Sequence, residues 1–159
     1  HHPHTFLTMN LDGRLEMTTG PGNILPHIVL RGGLGRPNYD SASILEALAL
    51  LGKAKLTSGL LIDCSHDNSG GNPTRQKNLF CHLVDEVLPQ HKEIRGLMLE
   101  SYLTEGSQKY GSDNNGEISI TDPCLDWDTT ESLIKYAHTS LNGINSRNTS
   151  CKLNTFSVP

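Results

Sequence analysis

The sequence is short of positive charge, of aromatic residues and of long apolar runs. Thirteen Lys and Arg face 17 Asp and Glu, so the formal net charge is −4 and the pI is near 6.0. That balance argues against a nucleic-acid module held by phosphate neutralisation. Aromatic residues make up 5% of the chain, with one Trp, and the mean hydropathy is −0.37. The apolar residues are gathered in blocks, which separates the chain from a disordered one. No block approaches the 18 residues of a membrane span. There is no C-x-x-C pair. Cys64, Cys81, Cys124 and Cys151 are separated by 17, 43 and 27 residues, a spacing that excludes zinc ribbons and thioredoxin-type centres. The expectation is four reduced thiols in a cytoplasmic protein. The opening His1-His2-Pro3-His4 has neither a Met nor a signal-peptide pattern, and truncation is the expectation it raises. A chain of 159 residues suits one domain.

What is present is an alternation of apolar strands and one-sided helices. Phe6–Met9 and Arg14–Thr19 flank Asn10–Gly13, and Gly20-Pro21-Gly22-Asn23 follows, a pattern that predicts a hairpin over about 10–23. His27–Leu30 is the first buried-strand candidate. Asp40-Ser41 then caps a helix carrying Ile44, Leu45, Leu48 and Leu51, with Gly52 at its end. Gly59–Asp63 is the next strand. Asn72-Pro73 opens a second helix, whose apolar row runs from Leu79 to Leu88 before Pro89. Gly96–Leu99 is a third strand, and a polar loop runs from Thr104 to Gly116. Ile118–Thr121 is a short apolar segment. Asp128 to Glu131 reads as a capping box for a last helix bearing Leu133, Ile134, Ala137 and Leu141. The reading is one α/β unit over 1–141 and a polar tail over 142–159. Strands apolar along their length predict a parallel sheet covered on both faces, in a small doubly wound sheet or as part of a (β/α)8 barrel.

The carboxyl ends of these strands carry the chemistry. The first leads into Arg31, the second into Asp63, Ser65 and His66, the third into Glu100, and Asp122 follows the short segment. That edge of an α/β sheet is where ligands bind. An arginine fork suits a phosphate or carboxylate. One imidazole and two carboxylates suit a divalent Mn or Fe ion. The same residues also have structural readings: a loop hydrogen bond for His66, a turn cap for Arg31, solvated carboxylates for Glu100 and Asp122. His1, His2, His4, His82, His91 and His138 have no companions at ligand spacing and read as surface residues.

Four ordered segments, PHIVLRGG…PNYD, LLIDCSHDNS, GLMLESYLTEG and SITDPCLDWDTTESL, resemble the carboxyl-terminal half of type I 3-deoxy-D-arabino-heptulosonate 7-phosphate (DAHP) synthase. The resemblance runs from about residue 2 to about residue 141. It implies the carboxyl-terminal βα units of a partial (β/α)8 TIM barrel with an inserted β-hairpin. The activity implied is the condensation of phosphoenolpyruvate with erythrose 4-phosphate to DAHP and phosphate, opening the shikimate pathway to aromatic amino acids. A divalent metal (Mn, Fe, Co or Zn) polarises the aldehyde in that family. By motif position His66, Glu100 and Asp122 resemble three metal ligands, and Arg31, His66 and Asp122 are the residues that would meet substrate, with Arg31 and His66 as the catalytic pair. The stretch from about Arg14 to Gly22 resembles the hairpin that helps form an aromatic amino acid effector site in regulated members. The resemblance further implies a homo-oligomer for the full-length family, with no nucleic acid or membrane partner.

The departures are definite. The family's fourth ligand, a cysteine in a GPCS-type motif, has no counterpart, and Cys64 in the CSH run does not replace it. The KPRT-type loop is also absent. Ser107 stands where the family has Asn, and Pro123 where it has Ala, removing one backbone N–H beside a ligand. Three expectations follow. The chain is a carboxyl-terminal portion of such an enzyme, inactive by itself; or a non-catalytic homologue acting as a binding or interaction protein; or a self-sufficient small metal-dependent lyase or hydrolase.

Overall fold

The computed structural model describes residues 1–56 and 59–143. The tail assigned to 142–159 lies, from 144 onward, outside the described residues, and Cys151 lies with it. The chain starts with an antiparallel hairpin, β1 (His4–Met9) and β2 (Leu15–Gly20), turning through Asn10–Gly13. The Asn10 carboxamide accepts hydrogen bonds from the Asp12 and Arg14 amides, both at 3.0 Å, and so shapes the turn. The hairpin therefore begins earlier than the 10–23 expected, because the Phe6–Met9 candidate is its first strand.

The centre of the molecule is a parallel sheet in the order β3 (Ile28–Leu30), β4 (Leu60–Asp63), β5 (Ile94–Met98). Helix α1 (Ser41–Lys53) crosses from β3 to β4. Its cap is Asp40, whose carboxylate accepts from the Ala42 and Ser43 amides at 3.0 Å each. Its buried face is Ile44, Ala47 and Leu51, while Leu45 points to solvent. The helix runs one residue past Gly52. The closing left-handed residue is Lys55, at φ +54°, and its amide bonds the Gly52 carbonyl. Helix α2 is a single turn, His66–Ser69, in a stretch expected to be loop. Helix α3 (Pro73–His82) is capped by Asn72 and continues as a π turn over Leu83–Val87. Strands β6 (Thr104–Ser107) and β7 (Ile118–Ser119) pair within the expected Thr104–Gly116 loop and the segment after it. Helix α4 (Trp127–Leu141) is capped by Asp126, which accepts from the Thr129 amide at 2.6 Å, and not by Asp128. Asp126 wins because its oxygen meets an unpaired first-turn amide, whereas Asp128 is already inside the helix.

Side chains alternate across a strand, so the register decides which residues share a face. Leu60 and Ile62 are fully buried beneath the helices, with Leu30 beside Ile62. The other face carries Val29 opposite Leu61, then Gly96 and Met98 opposite Leu61 and Asp63. Val29 and Leu61 are half-buried and Met98 is 41% exposed. Cover on both faces was expected; helices cover one face only, since the described chain supplies no element opposite the other. No helix among the described residues is long and apolar enough to cross a membrane.

Cys64, Cys81 and Cys124 are buried thiols outside any disulfide. Cys64 follows β4 inside the core, with its amide bonded to the Met98 carbonyl at 2.9 Å. Burial, aided by the neighbouring Asp63 charge, pushes its thiol from 9.0 up to about 12. The folded thiol keeps its proton while the unfolded one loses it, so stability is present below pH 9 and declines as pH rises towards 12. Compared with Cys64→Ala, the natural chain should lose about 2 kcal/mol between pH 8 and about pH 10.5. Urea midpoints at the two pH values, measured on both proteins, check this.

Candidate metal and anion site

Strand parity brings the predicted residues together. Arg31 lies two residues beyond Val29, Asp63 two beyond Leu61, and Glu100 two beyond Met98. All three therefore leave the sheet on the side away from the helices. His66 follows Asp63 across the short turn Cys64-Ser65. Its backbone is left-handed, at φ +47°, where a side chain with a Cβ is strained by about 1–3 kcal/mol. That conformation opens α2 and turns the imidazole back over the end of β4.

The imidazole is held on one side only. Nδ1 lies 2.6 Å from Oδ2 of Asp63 and 2.8 Å from Oγ of Ser65. The Ser65 hydroxyl donates to Oδ1 of Asp63 at 2.5 Å, and the Ser65 amide donates to the same oxygen at 2.7 Å. Both acceptors facing Nδ1 are satisfied when Nδ1 carries the proton. Asp63 is 2% exposed, so this network is shielded from water. Nε2 is left facing Oε1 of Glu100 at 3.3 Å and Oδ2 of Asp122 at 3.7 Å. One donor atom from each of His66, Glu100 and Asp122 lies within 4.8 Å of the others. A lone pair opposite two carboxylates is repulsive, and either a proton on Nε2 or a divalent cation held between the three groups relieves it. An imidazole oriented by a buried carboxylate is the usual support of such a ligand. The donor set therefore fits the metal expected for these residues.

Burial raises the Glu100 carboxyl above its ordinary value; Asp122 and Asp63 push the same way, against His66 and Arg31. The Glu100 amide donates to Oε1 of Gln76 at 2.6 Å, which ties the end of β5 to α3. Gln76 is 1% exposed, and its Nε2 finds no partner among the described residues. Asn68 ties the other two strands. Its Nδ2 donates to the carbonyls of Leu30 and Asp63, at 3.0 and 2.8 Å.

Arg31 is exposed on the wall of an open cleft of about 550 Å³, lined also by Gly32, Gly33, His66, Asp67, Gly70, Gly71 and Asp122. Arg31 makes no ion pair among the described residues. The cleft thus sets a free guanidinium beside the His66 cluster. Arg31, His66 and Asp122 line the cleft and Glu100 meets Nε2 of His66, while the six other histidines singled out belong to neither the cleft nor the cluster. Sequence reading missed Asp63 as the orienting group and Gln76 and Asn68 as the ties. Asp63 three residues before His66 was visible. The two amides gave no signal, because the partners that make them ties, the Leu30 carbonyl for Asn68 and the Glu100 amide for Gln76, are backbone groups 38 and 24 residues away.

A family model described as DAHP synthetase I family matches residues 3–135. Phospho-2-dehydro-3-deoxyheptonate aldolase, Tyr-sensitive, of Enterobacter agglomerans is 34% identical over 151 residues, covering 89% of this chain and 68% of that protein. The enzyme of the same name in Escherichia coli (strain K12) is 34% identical over 150 residues, with 89% of this chain and 40% of that protein covered. A solved phospho-2-dehydro-3-deoxyheptonate aldolase from Francisella tularensis SCHU S4 superposes with a TM-score of 0.82 at 28% identity, over 91% of this chain and 42% of that one. The chain thus spans about two-fifths of the E. coli relative and of the solved structure. With 133 of 159 residues inside the family match, this mixed α/β chain belongs to the DAHP synthetase I family.

Proposed function

We propose that the chain forms the carboxyl-terminal βα part of a (β/α)8 barrel that condenses phosphoenolpyruvate with erythrose 4-phosphate in the cytoplasm. The observation that carries the reading is the convergence of His66, Glu100 and Asp122 on one point beside an unpaired arginine. A bound Mn, Fe, Co or Zn ion would supply Lewis-acid polarisation of the aldehyde oxygen. His66 offers Nε2 to that ion because Asp63 and Ser65 occupy Nδ1. Glu100 and Asp122 would neutralise its charge, with the Glu100 backbone held at the end of β5 by the Gln76 tie. Arg31 holds the carboxylate or phosphate of phosphoenolpyruvate in the cleft, with the enol carbon turned to the aldehyde. Carbon–carbon bond formation is followed by addition of water at the adjacent carbon and departure of phosphate. The hairpin β1–β2 would carry part of the effector site, and the relatives' names point to tyrosine as the effector. The whole enzyme would assemble as a homo-oligomer.

Calorimetric titration of the chain with Mn²⁺ tests this reading. Uptake is expected, with at least a hundredfold loss in His66→Ala, on the order of 3 kcal/mol of binding free energy. Absence of uptake by the natural chain overturns the metal assignment. The 159 residues alone should turn over neither substrate, because one arginine cannot hold two phosphorylated molecules in register. A coupled phosphate-release assay reads this directly.

A further inference from the structure

The stretch from Leu99 to Asp126, which connects β5 to α4, contains no helix. The outward face of β5 is therefore flanked by α3 and α4 with a groove left between them. The groove encloses about 470 Å³, within the range of small-molecule sites. Phe80 and Val84 form one wall, Ile134 and Ala137 the other, and Leu97 the floor. At its mouth stand Lys92 and Arg95, beside the amino end of β5 and so at the opposite end of the strand from Glu100. Among the described residues no carboxylate lines the groove and neither cation has an ion-pair partner. The Arg95 stem lies across the bare backbone of Gly59, where a Cβ would come 2.1 Å from its Cγ.

We propose that this groove binds a small anionic amphiphile, an aliphatic chain of about eight carbons bearing a carboxylate. The apolar walls would take the body and Lys92 and Arg95 the charge. A neutral molecule leaves two cations unpaired at the mouth. A cationic one is repelled by them. The site is separate from the His66 cluster and does not depend on the reaction proposed above.

Calorimetry of the full chain with octanoate and with octanamide tests the assignment. Octanoate should bind about tenfold more tightly, as a charge-assisted contact requires. The double substitution Lys92→Ala with Arg95→Ala should abolish that preference by weakening octanoate alone. Ala137→Trp should fill the groove and abolish both signals, with thermal unfolding kept as the control for fold. Equal affinities, binding that survives Ala137→Trp in a folded protein, or no heat with octanoate would each overturn the proposal. So would a dimer by sedimentation that Ala137→Trp dissociates, since a second copy would then be the occupant.

Discussion

Asp63→Asn is expected to weaken Mn²⁺ uptake by the chain ten- to hundredfold while leaving the three facing ligand residues in place. The substitution is nearly isosteric, so the effect is electronic and orientational. Asp63 presents one oxygen to Nδ1 of His66 and the other to both the hydroxyl and the amide of Ser65. Asparagine has a single acceptor for these two tasks. If its oxygen stays with Ser65, its NH₂ faces Nδ1 and the imidazole proton moves to Nε2. The lone pair then points away from Glu100 and Asp122, and the cluster loses a ligand. If the oxygen turns to His66, two Ser65 donors lose a buried partner, at about 1–3 kcal/mol. Calorimetric Mn²⁺ titration together with urea unfolding distinguishes these outcomes. Unchanged affinity at unchanged stability would show that Asp63 does not orient the ring.

The parts of this molecule that were legible in the sequence are those written as local pattern. Leu60, Ile62 and their neighbours announce a buried strand by being apolar in sequence. Asn72-Pro73 announces a helix start because capping is a contact within one turn. The order of Arg31, His66, Glu100 and Asp122 along the chain was legible for the same reason: each follows its strand directly. Their convergence depends on register, with Val29 against Leu61 and Met98 against Asp63. A one-residue slip would have sent any of them to the helix side. The left-handed His66 was hidden because propensity disfavours that conformation in any residue but glycine, and neighbouring hydrogen bonds overrule it. The hairpin was misplaced at its start because its second strand has the clearer turn after it. The choice of Asp126 over Asp128 as cap rests on a displacement of two residues, smaller than pattern reading resolves.

Gly32→Ala should cost about 3 kcal/mol or more, whereas Gly33→Ala next to it should be close to neutral. The two glycines look equivalent in the sequence. Gly32 has φ +74°, and a Cβ there would lie 2.7 Å from the Arg36 carbonyl oxygen and 2.7 Å from Cβ of Asp67. Neither obstacle is the far end of a flexible side chain, so backbone has to move, and the left-handed conformation adds about 1 kcal/mol or more of its own. Gly33 meets nothing within 4 Å. Movement at Gly32 would also spread. Its amide donates to Oδ1 of Asn38 at 2.7 Å, the Asn38 amide donates to Oδ1 of Asn68 at 2.8 Å, and Asn68 holds the carbonyls that end β3 and β4. Arg31 precedes Gly32 at one end of this chain of contacts and His66 lies two residues before Asn68 at the other, so a shift at Gly32 changes their separation. Gly32→Ala should therefore lower the urea midpoint and, where the protein remains folded, weaken Mn²⁺ uptake as well. Loss of stability without any change in uptake would mean that the network supports the fold alone and that the cleft wall carrying Arg31 moves independently of the His66 cluster.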